Sequence, residues 1–391
     1  MRLRDRLPNY LKTEDITNWH GAYDYIIYKD GTYAVAISNL TGLEVSRAVD
    51  VGVVTNACIA LMTNGGSIWY QPGNYSLRSQ IASGTKGVNL TGQCGSSSSL
   101  PSGYAEVIFT CDGALGAKFA IKMGSDGAAV HGSQVNNIII AGVQSDTFLG
   151  GIHFRNIHHG SITNCMVNDM YNTATPGYGF LLDEDAGLGC YYNVIKDFYS
   201  RRCTVGGKFG DGANANTVIG GQFTGRAAVA TYGLQFGLGG GCTVLGTTDF
   251  ETHAHANGIA IYIASGNGCH FFGMRFEGNQ RDIVIDAGGS TGGHEFFGYS
   301  MAGTIGALVT DNGATKSHFL GRIGYITEKW GSSTGSGAQQ TIAHGLGATP
   351  TLVLLSDKEL NAIPYQSAAA DATNIFVTAA VNQDWSWYAR I

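Results

Sequence analysis

Residues 273–286 read GMRFEGNQRDIVID, and residues 246–253 read GTTDFETH. Both stretches contain Phe-Glu, at Phe276-Glu277 and Phe250-Glu251, 26 residues apart. Phe223 and Phe198 extend the series backwards at spacings of 27 and 25. Glycines at 220, 246, 273 and 298 keep a similar interval. So do Leu234, Ile259 and Ile283, the first apolar residues of three short strands. Three markers sharing a period of about 25 residues define a structural repeat.

Within a period the chain reads strand, glycine turn, strand, loop, strand. CTVLG, TDFET and GIAIYI make one rung, and CHFFG, MRFEG and DIVID make the next. Strands this short cannot bury an apolar face alone, but stacked rungs bury a continuous core. NNIIIAG from 136 and GSITNCMVND from 160 fit as earlier rungs, with TATPGYG from 173 as an excursion between rungs. HEFFGYS and SHFLGR carry the series to about residue 322, giving roughly eight regular rungs.

The ends depart from the period. DVGVVTNACIALMTNGG, from residue 50, has Val54, Cys58, Ile59, Leu61 and Met62 at helical spacing and closes on Gly-Gly. It predicts a short helix over the open end of the core, because a solenoid left uncapped exposes strand edges. SIWYQPGNYSL then supplies a strand, a turn and a second strand. At the other end GSSTGSG predicts a linker over 326–337, and 338–391 forms a small separate β domain of alternating strands. Residues 1–49 are an attachment or capping segment, with a trimer-associating helix expected within 1–20, and the solenoid occupies 50–325.

Composition agrees. Among 391 residues only 13% are charged, with 58 Gly and 6 Pro, but 44% are hydrophobic, which fits a densely turned β protein rather than a flexible chain. A net charge of -6 gives no electrostatic footprint for nucleic acid or an anionic membrane. No run of 18 apolar residues is present, so membrane insertion is not expected. MRLRDRLPNYLKTEDITNW lacks the apolar segment of a Sec signal peptide. The eight cysteines, at 58, 94, 111, 165, 190, 203, 242 and 269, form no CxxC and read as buried free thiols.

The GG-x-I-x-x-x-PG-x-Y pattern over residues 65–75, followed by rungs with FEGN and DI, resembles the pectate-lyase-like right-handed parallel β-helix superfamily. The closer resemblance is to its bacteriophage and virus tailspike or tail-fibre members. IAHGLGATPTLVLL and the closing WSWYARI resemble the C-terminal β domain of such fibres. The fold implied is an all-β, right-handed, single-stranded parallel β-helix with an N-terminal capping helix and a small C-terminal β-sandwich. The resemblance also implies a homotrimer, on a virion tail or extracellular, that binds a host surface polysaccharide, which many such proteins cleave. It calls for no cofactor. The paired-Asp calcium site with an RxPxxR-like segment and the NTD…DD…GHG…RIK set are missing, which disfavours a pectin enzyme.

Strand alternation locates the candidate site. With Phe250 and Phe276 inward, Asp249 and Glu251 face outward on one rung, and Arg275 and Glu277 on the next, about 4.8 Å away. Stacked carboxyls suit glycoside hydrolysis, where retaining pairs lie roughly 5–5.5 Å apart and inverting pairs about 6.5–9.5 Å. Glu251, Glu277 and Asp249 are therefore the catalytic candidates, with Arg275, Tyr199 and Arg202 as substrate-binding residues. The competing reading is a solvated ion-pair ladder. Gln222 and Thr224 occupy the equivalent places one rung down, so the acidity is local.

Weaker candidates are His153, His158 and His159, the His253 and His255 pair as metal ligands on one strand face, and Asp183, Glu184 and Asp185 as hard-cation ligands. The histidines read best as loop or surface residues and the acidic run as solvated, so no metal is expected. Two other functions stay open: a cellular polysaccharide lyase or glycoside hydrolase of this fold, and a structural adhesin without chemistry.

Overall fold

The computed structural model describes residues 23–93, 106–142, 148–171, 176–266, 268–287, 293–313, 317–321, 325–346, 348–357 and 363–391. The segment expected to attach within 1–20 and part of the excursion from 173 lie outside these residues. Three parallel sheets wind around one core. Sheet A has 13 strands, sheet B nine and sheet C nine. Each turn of chain contributes one strand to each sheet, as in Thr243–Leu245, Asp249–Glu251 and Ile259–Ile263. The next turn adds His270–Phe272, Arg275–Glu277 and Arg281–Ile285 in parallel register.

The first three strands of sheet A, Tyr25–Asp30, Tyr33–Ser38 and Glu44–Ala48, are antiparallel, and Tyr25–Asp30 pairs parallel with Gly65–Tyr70. This meander occupies part of the expected attachment segment and covers the edge of the first rung. Helix α1, Val51–Leu61, closes the core end and buries Val51, Val54, Cys58 and Ile59. Leu61, expected in that buried stripe, is exposed instead. Asp50 caps α1: its Oδ1 accepts from Gly52 N and from Arg78 N, both at 2.9 Å, and so ties the helix to the first rung.

Two of the three sequence markers need correction in register. Ser200, not Phe198, stacks under Phe223, and Leu234 pairs with Ile261, not Ile259. Both errors are slips of two residues, which keep a strand's inward face inward and so leave the alternation unchanged.

The stretch 326–337 is not a plain linker. It contains strand Glu328–Thr334, which pairs with Asp384–Arg390 along its whole length. Gly331 is required there, because a Cβ would sit 2.7 Å from the Trp387 ring. The C-terminal unit packs two three-stranded antiparallel sheets around Ile375, Val377, Trp385 and Trp387. It joins the last rung through Thr327 N to Phe319 O at 3.0 Å and Glu328 to His318 at 2.7 Å. Among the described residues no helix is long and apolar enough to cross a membrane.

Candidate functional site

The outward face of sheet B carries two in-register columns. One runs Tyr199, Gln222, Asp249, Arg275 and Ser300, and the other Arg201, Thr224, Glu251, Glu277 and Ala302. Phe250 and Phe276 lie inward and fully buried, with rings stacked 5.3 Å apart, so alternation sends their neighbours to the surface as expected.

Arg275 gathers the acidic residues. Its guanidinium lies 3.3 Å from Asp249 and 3.6 Å from Glu251, and it also pairs with Glu277. Asp249 and Glu277, then Glu251, raise the Arg275 pKa further above its ordinary value. The sequence-predicted carboxylates are thus together on one face, but each shares the same cation. That is the geometry of an ion-pair ladder, which offsets the repulsion of stacked carboxylates. Arg275 and Glu277 are open to solvent, where an ion pair contributes only about 0–1 kcal/mol to stability, while Asp249 and Glu251 are partly covered.

Tyr199 shares the Asp249 column two rungs below, packed against Ile139 and Met166. Burial and then the Asp249 charge raise its phenol pKa. Arg202 does not join the ladder. It sits in a turn at φ 56° and pairs with Asp169 at 2.6 Å. It follows Arg201, the last residue of its strand, and so lies outside the in-register columns that carry Asp249 and Glu251.

The histidine expectations change most. His253 is buried with both ring nitrogens engaged, Nδ1 with Thr231 Oγ1 at 2.9 Å and Nε2 with the Phe223 carbonyl at 3.1 Å. It lies beyond strand Asp249–Glu251 and pairs with no ligand partner in His255. Gly225 makes room for it, since a Cβ there would meet His253 Nδ1 at 2.5 Å. His153, read as a surface residue, is buried and bonds Asp183 at 2.7 Å. Asp183 and Asp185 both pair with Arg155, and Glu184 accepts from Gly189 N at 2.9 Å. Among the described residues, no group of three or more His, Cys, Asp or Glu side chains is arranged to hold a metal ion. The seven cysteines among these residues are free and buried, and burial pushes the Cys165 thiol up to about 12.

Sheets of stacked parallel strands, capped by a helix at one end and a two-sheet domain at the other, define a right-handed single-stranded parallel β-helix. No family model and no curated protein matches the chain. Among solved structures it is similar to Geobacillus virus E2 ORF18, at 15% identity and a TM-score of 0.52, over 84% of this chain and 72% of that one. A weaker likeness, at 6% identity and a TM-score of 0.40, is to the Acinetobacter phage vB_ApiP_P1 tailspike protein, over 88% of this chain and 84% of that one. Another, at 9% identity and a TM-score of 0.37, is to tailspike gp49 of Acinetobacter baumannii bacteriophage Fri1, described as a capsular polysaccharide depolymerase, over 87% of this chain and 81% of that one.

Proposed function

We propose that this chain is the β-helical body of a tailspike- or tail-fibre-like protein that binds a host surface polysaccharide. The observation that carries the reading is the register of sheets B and C. Outward side chains repeat at strand spacing along nine strands, so a repeating polymer meets a series of contacts whose weak energies add. A fold shared with a viral protein agrees with a place on a virion tail.

Sheet A supports assembly into a homotrimer. Ile219 and Leu245 stack in register on its outer face, and Phe272, Phe297 and Leu320 continue further along. The Phe272 and Phe297 rings stack 5.4 Å apart, and Phe272 is exposed. An apolar stripe of this length on a sheet face is covered in the trimer by the same stripe of the other copies. Light scattering should give about three times the 41.2 kDa chain mass. A monomer would sink the fibre reading and favour a cellular enzyme.

Cleavage, where it occurs, is assigned to Glu251 and Glu277 as the acid and base pair, with Asp249 beside them and Arg275 and Tyr199 holding substrate. In a panel of bacterial surface polysaccharides, Glu251→Gln and Glu277→Gln should each lower product release at least about a hundredfold and leave binding intact. Unchanged release from both variants would move the chemistry off this face. No release from the wild type would leave binding as the function.

A further inference from the structure

Sheet A changes character along its length. From strand Gly65–Tyr70 to strand Ser161–Thr163 one outward column reads Ser67, Asn89, Gln134 and Ser161. The other reads Trp69, Thr91, Asn136 and Thr163. Trp69 is buried and the rest are half-buried. Leu90, Val135 and Ile162, between the columns, point inward and are fully buried, so alternation holds the polar side chains outward. The second column turns apolar only further on, at Ile219.

A cavity of about 420 Å³ opens on this polar part of the face. Ser67, Asn89, Thr91, Gln134, Asn136 and Thr163 line it, together with Tyr23. Among the described residues no charged side chain lines it. Asp24 accepts from the Ser67 backbone N–H at 2.8 Å, and Lys196 lies beside Thr163 on the next rung, both outside the lining.

That lining fits one ligand chemistry. A carboxylate face can only accept hydrogen bonds and a cationic face can only donate them, but amides and hydroxyls do both. Sugar hydroxyls do both as well, so an uncharged sugar pairs with this lining and leaves no buried charge unmatched. Asn136 Nδ2 donates to Gln134 Oε1 at 3.3 Å, a long bond that a ligand can replace. Asn89 Oδ1 is enclosed and has no partner, which is unfavourable as it stands. Turning its amide about the soft terminal torsion brings that oxygen to the cavity, where a sugar hydroxyl can donate to it. Tyr23 adds an apolar surface for the C–H face of a sugar ring, and Trp69 backs it with ring centroids 6.3 Å apart.

The polar groups recur at rung spacing, about 4.8 Å, so successive parts of one polymer meet equivalent contacts. Contact between protein copies draws instead on apolar and aromatic side chains at its buried centre. The stripe of Phe272, Phe297 and Leu320 has that composition, and it lies at the opposite end of the same sheet.

We infer that this cavity is a binding subsite for an uncharged sugar residue of the polysaccharide, hydrogen-bonded by Asn89, Gln134, Asn136 and Thr163 and packed on Tyr23. This rests on the polysaccharide-binding reading above and names the class of residue that the polymer presents.

The test uses the full chain and two sets of probes. One set is uncharged: glucans, galactomannan, and bacterial O-antigens built of rhamnose and N-acetylhexosamine. The other is capsular polysaccharides rich in uronic acids. Wild type should bind at least one uncharged polymer, with an affinity that holds as salt is raised, since no ion pair is there to be screened. The Gln134→Ala/Asn136→Ala double variant should weaken that binding at least about tenfold and keep the native mass of the wild type. Where circular dichroism shows that the double variant misfolds, Gln134→Glu, which keeps the side-chain shape and removes its donor, should weaken binding in the same direction. Unchanged affinity in the folded variants would overturn the subsite and leave the general function standing. So would wild-type binding confined to uronic-acid polymers and lost at high salt. Weaker binding together with a fall in native mass would make these positions part of the contact between copies, and would overturn the subsite too. Binding of no polymer in either set would overturn the reading beneath it.

Discussion

The Phe276→Ala variant should lose about 3–5 kcal/mol of stability, measured as a fall in the denaturant midpoint, or as faster unfolding where refolding is incomplete. Phe276 is fully buried and is the third ring of a column with Phe223 and Phe250, stacked at 5.4 and 5.3 Å. Met301 follows in register on the next rung. Removing the ring leaves a void between two rungs that backbone hydrogen bonds hold at fixed spacing, so the site cannot collapse to fill it. In a solenoid each rung contacts only its neighbours, so a weakened mid-column contact also uncouples the halves on either side. The unfolding curve should broaden or split as well as shift. Phe272→Ala in the monomeric state is the control: its side chain is on the outer face of the same turn and should change stability far less. A loss below about 1 kcal/mol at Phe276 would show that the column is not close-packed.

The same column explains what the sequence made legible. The glycine series was sound because the turn between sheets A and B needs a left-handed residue, and Gly220, Gly246, Gly273 and Gly298 have φ of 66°, 78°, 74° and 64°. Earlier rungs use Asn137, Asn164 and Asp197 in that turn, at 56°, 51° and 49°. Asn and Asp reach this region more readily than other side chains, so the turn persists where the glycine marker fades. Asn164 Nδ2 even donates to Asn137 Oδ1 at 2.9 Å, linking two turns into a ladder. The repeat therefore extends further towards the N-terminus than a search for glycine alone finds.

The acidic ladder was legible because adjacent rungs there keep the local period: Asp249 meets Arg275 and Glu251 meets Glu277. The packing of His153 and Arg155 on Asp183 was not. Arg155 stacks under Asp183 at a separation of 28 residues, and His153 under Leu181. A fixed period of about 25 residues misaligns that pair by three, enough to reverse its facing. Locating it required the length of the excursion between the two rungs, which only the folded chain supplies.

Asp282→Asn should stabilise the protein at pH 7 by up to roughly 3 kcal/mol and should expose a dependence of stability on pH that Asp282 offsets in the wild type. Asp282 is fully enclosed and accepts from Thr304 Oγ1 at 2.5 Å and Asn279 Nδ2 at 3.0 Å. Burial outweighs these bonds and raises its pKa from 3.8 to about 6. Between those values the unfolded chain gives up the proton first, so stability falls as pH rises through the window and stays low above it. Asn279 connects this carboxyl to His253, whose backbone N–H it accepts at 3.1 Å. Burial lowers the His253 pKa from 6.5 to about 4, partly offset by the carbonyl bond to Phe223. Here the unfolded chain takes the proton first as pH falls, so stability is lost from 6.5 down to about 4. The two slopes oppose each other over nearly the same window, and the contribution of this pair to the wild type should be almost flat between about pH 4 and 6. Asn at 282 removes one slope and exposes the other: stability should then rise by roughly 3 kcal/mol between pH 4 and 6.5. Denaturant unfolding at half-unit pH steps reads this directly. A variant whose stability tracks the wild type in parallel across that range would mean that Asp282 is already ionised in the folded chain, and that its enclosure by Thr304 and Asn279 is looser than the geometry states.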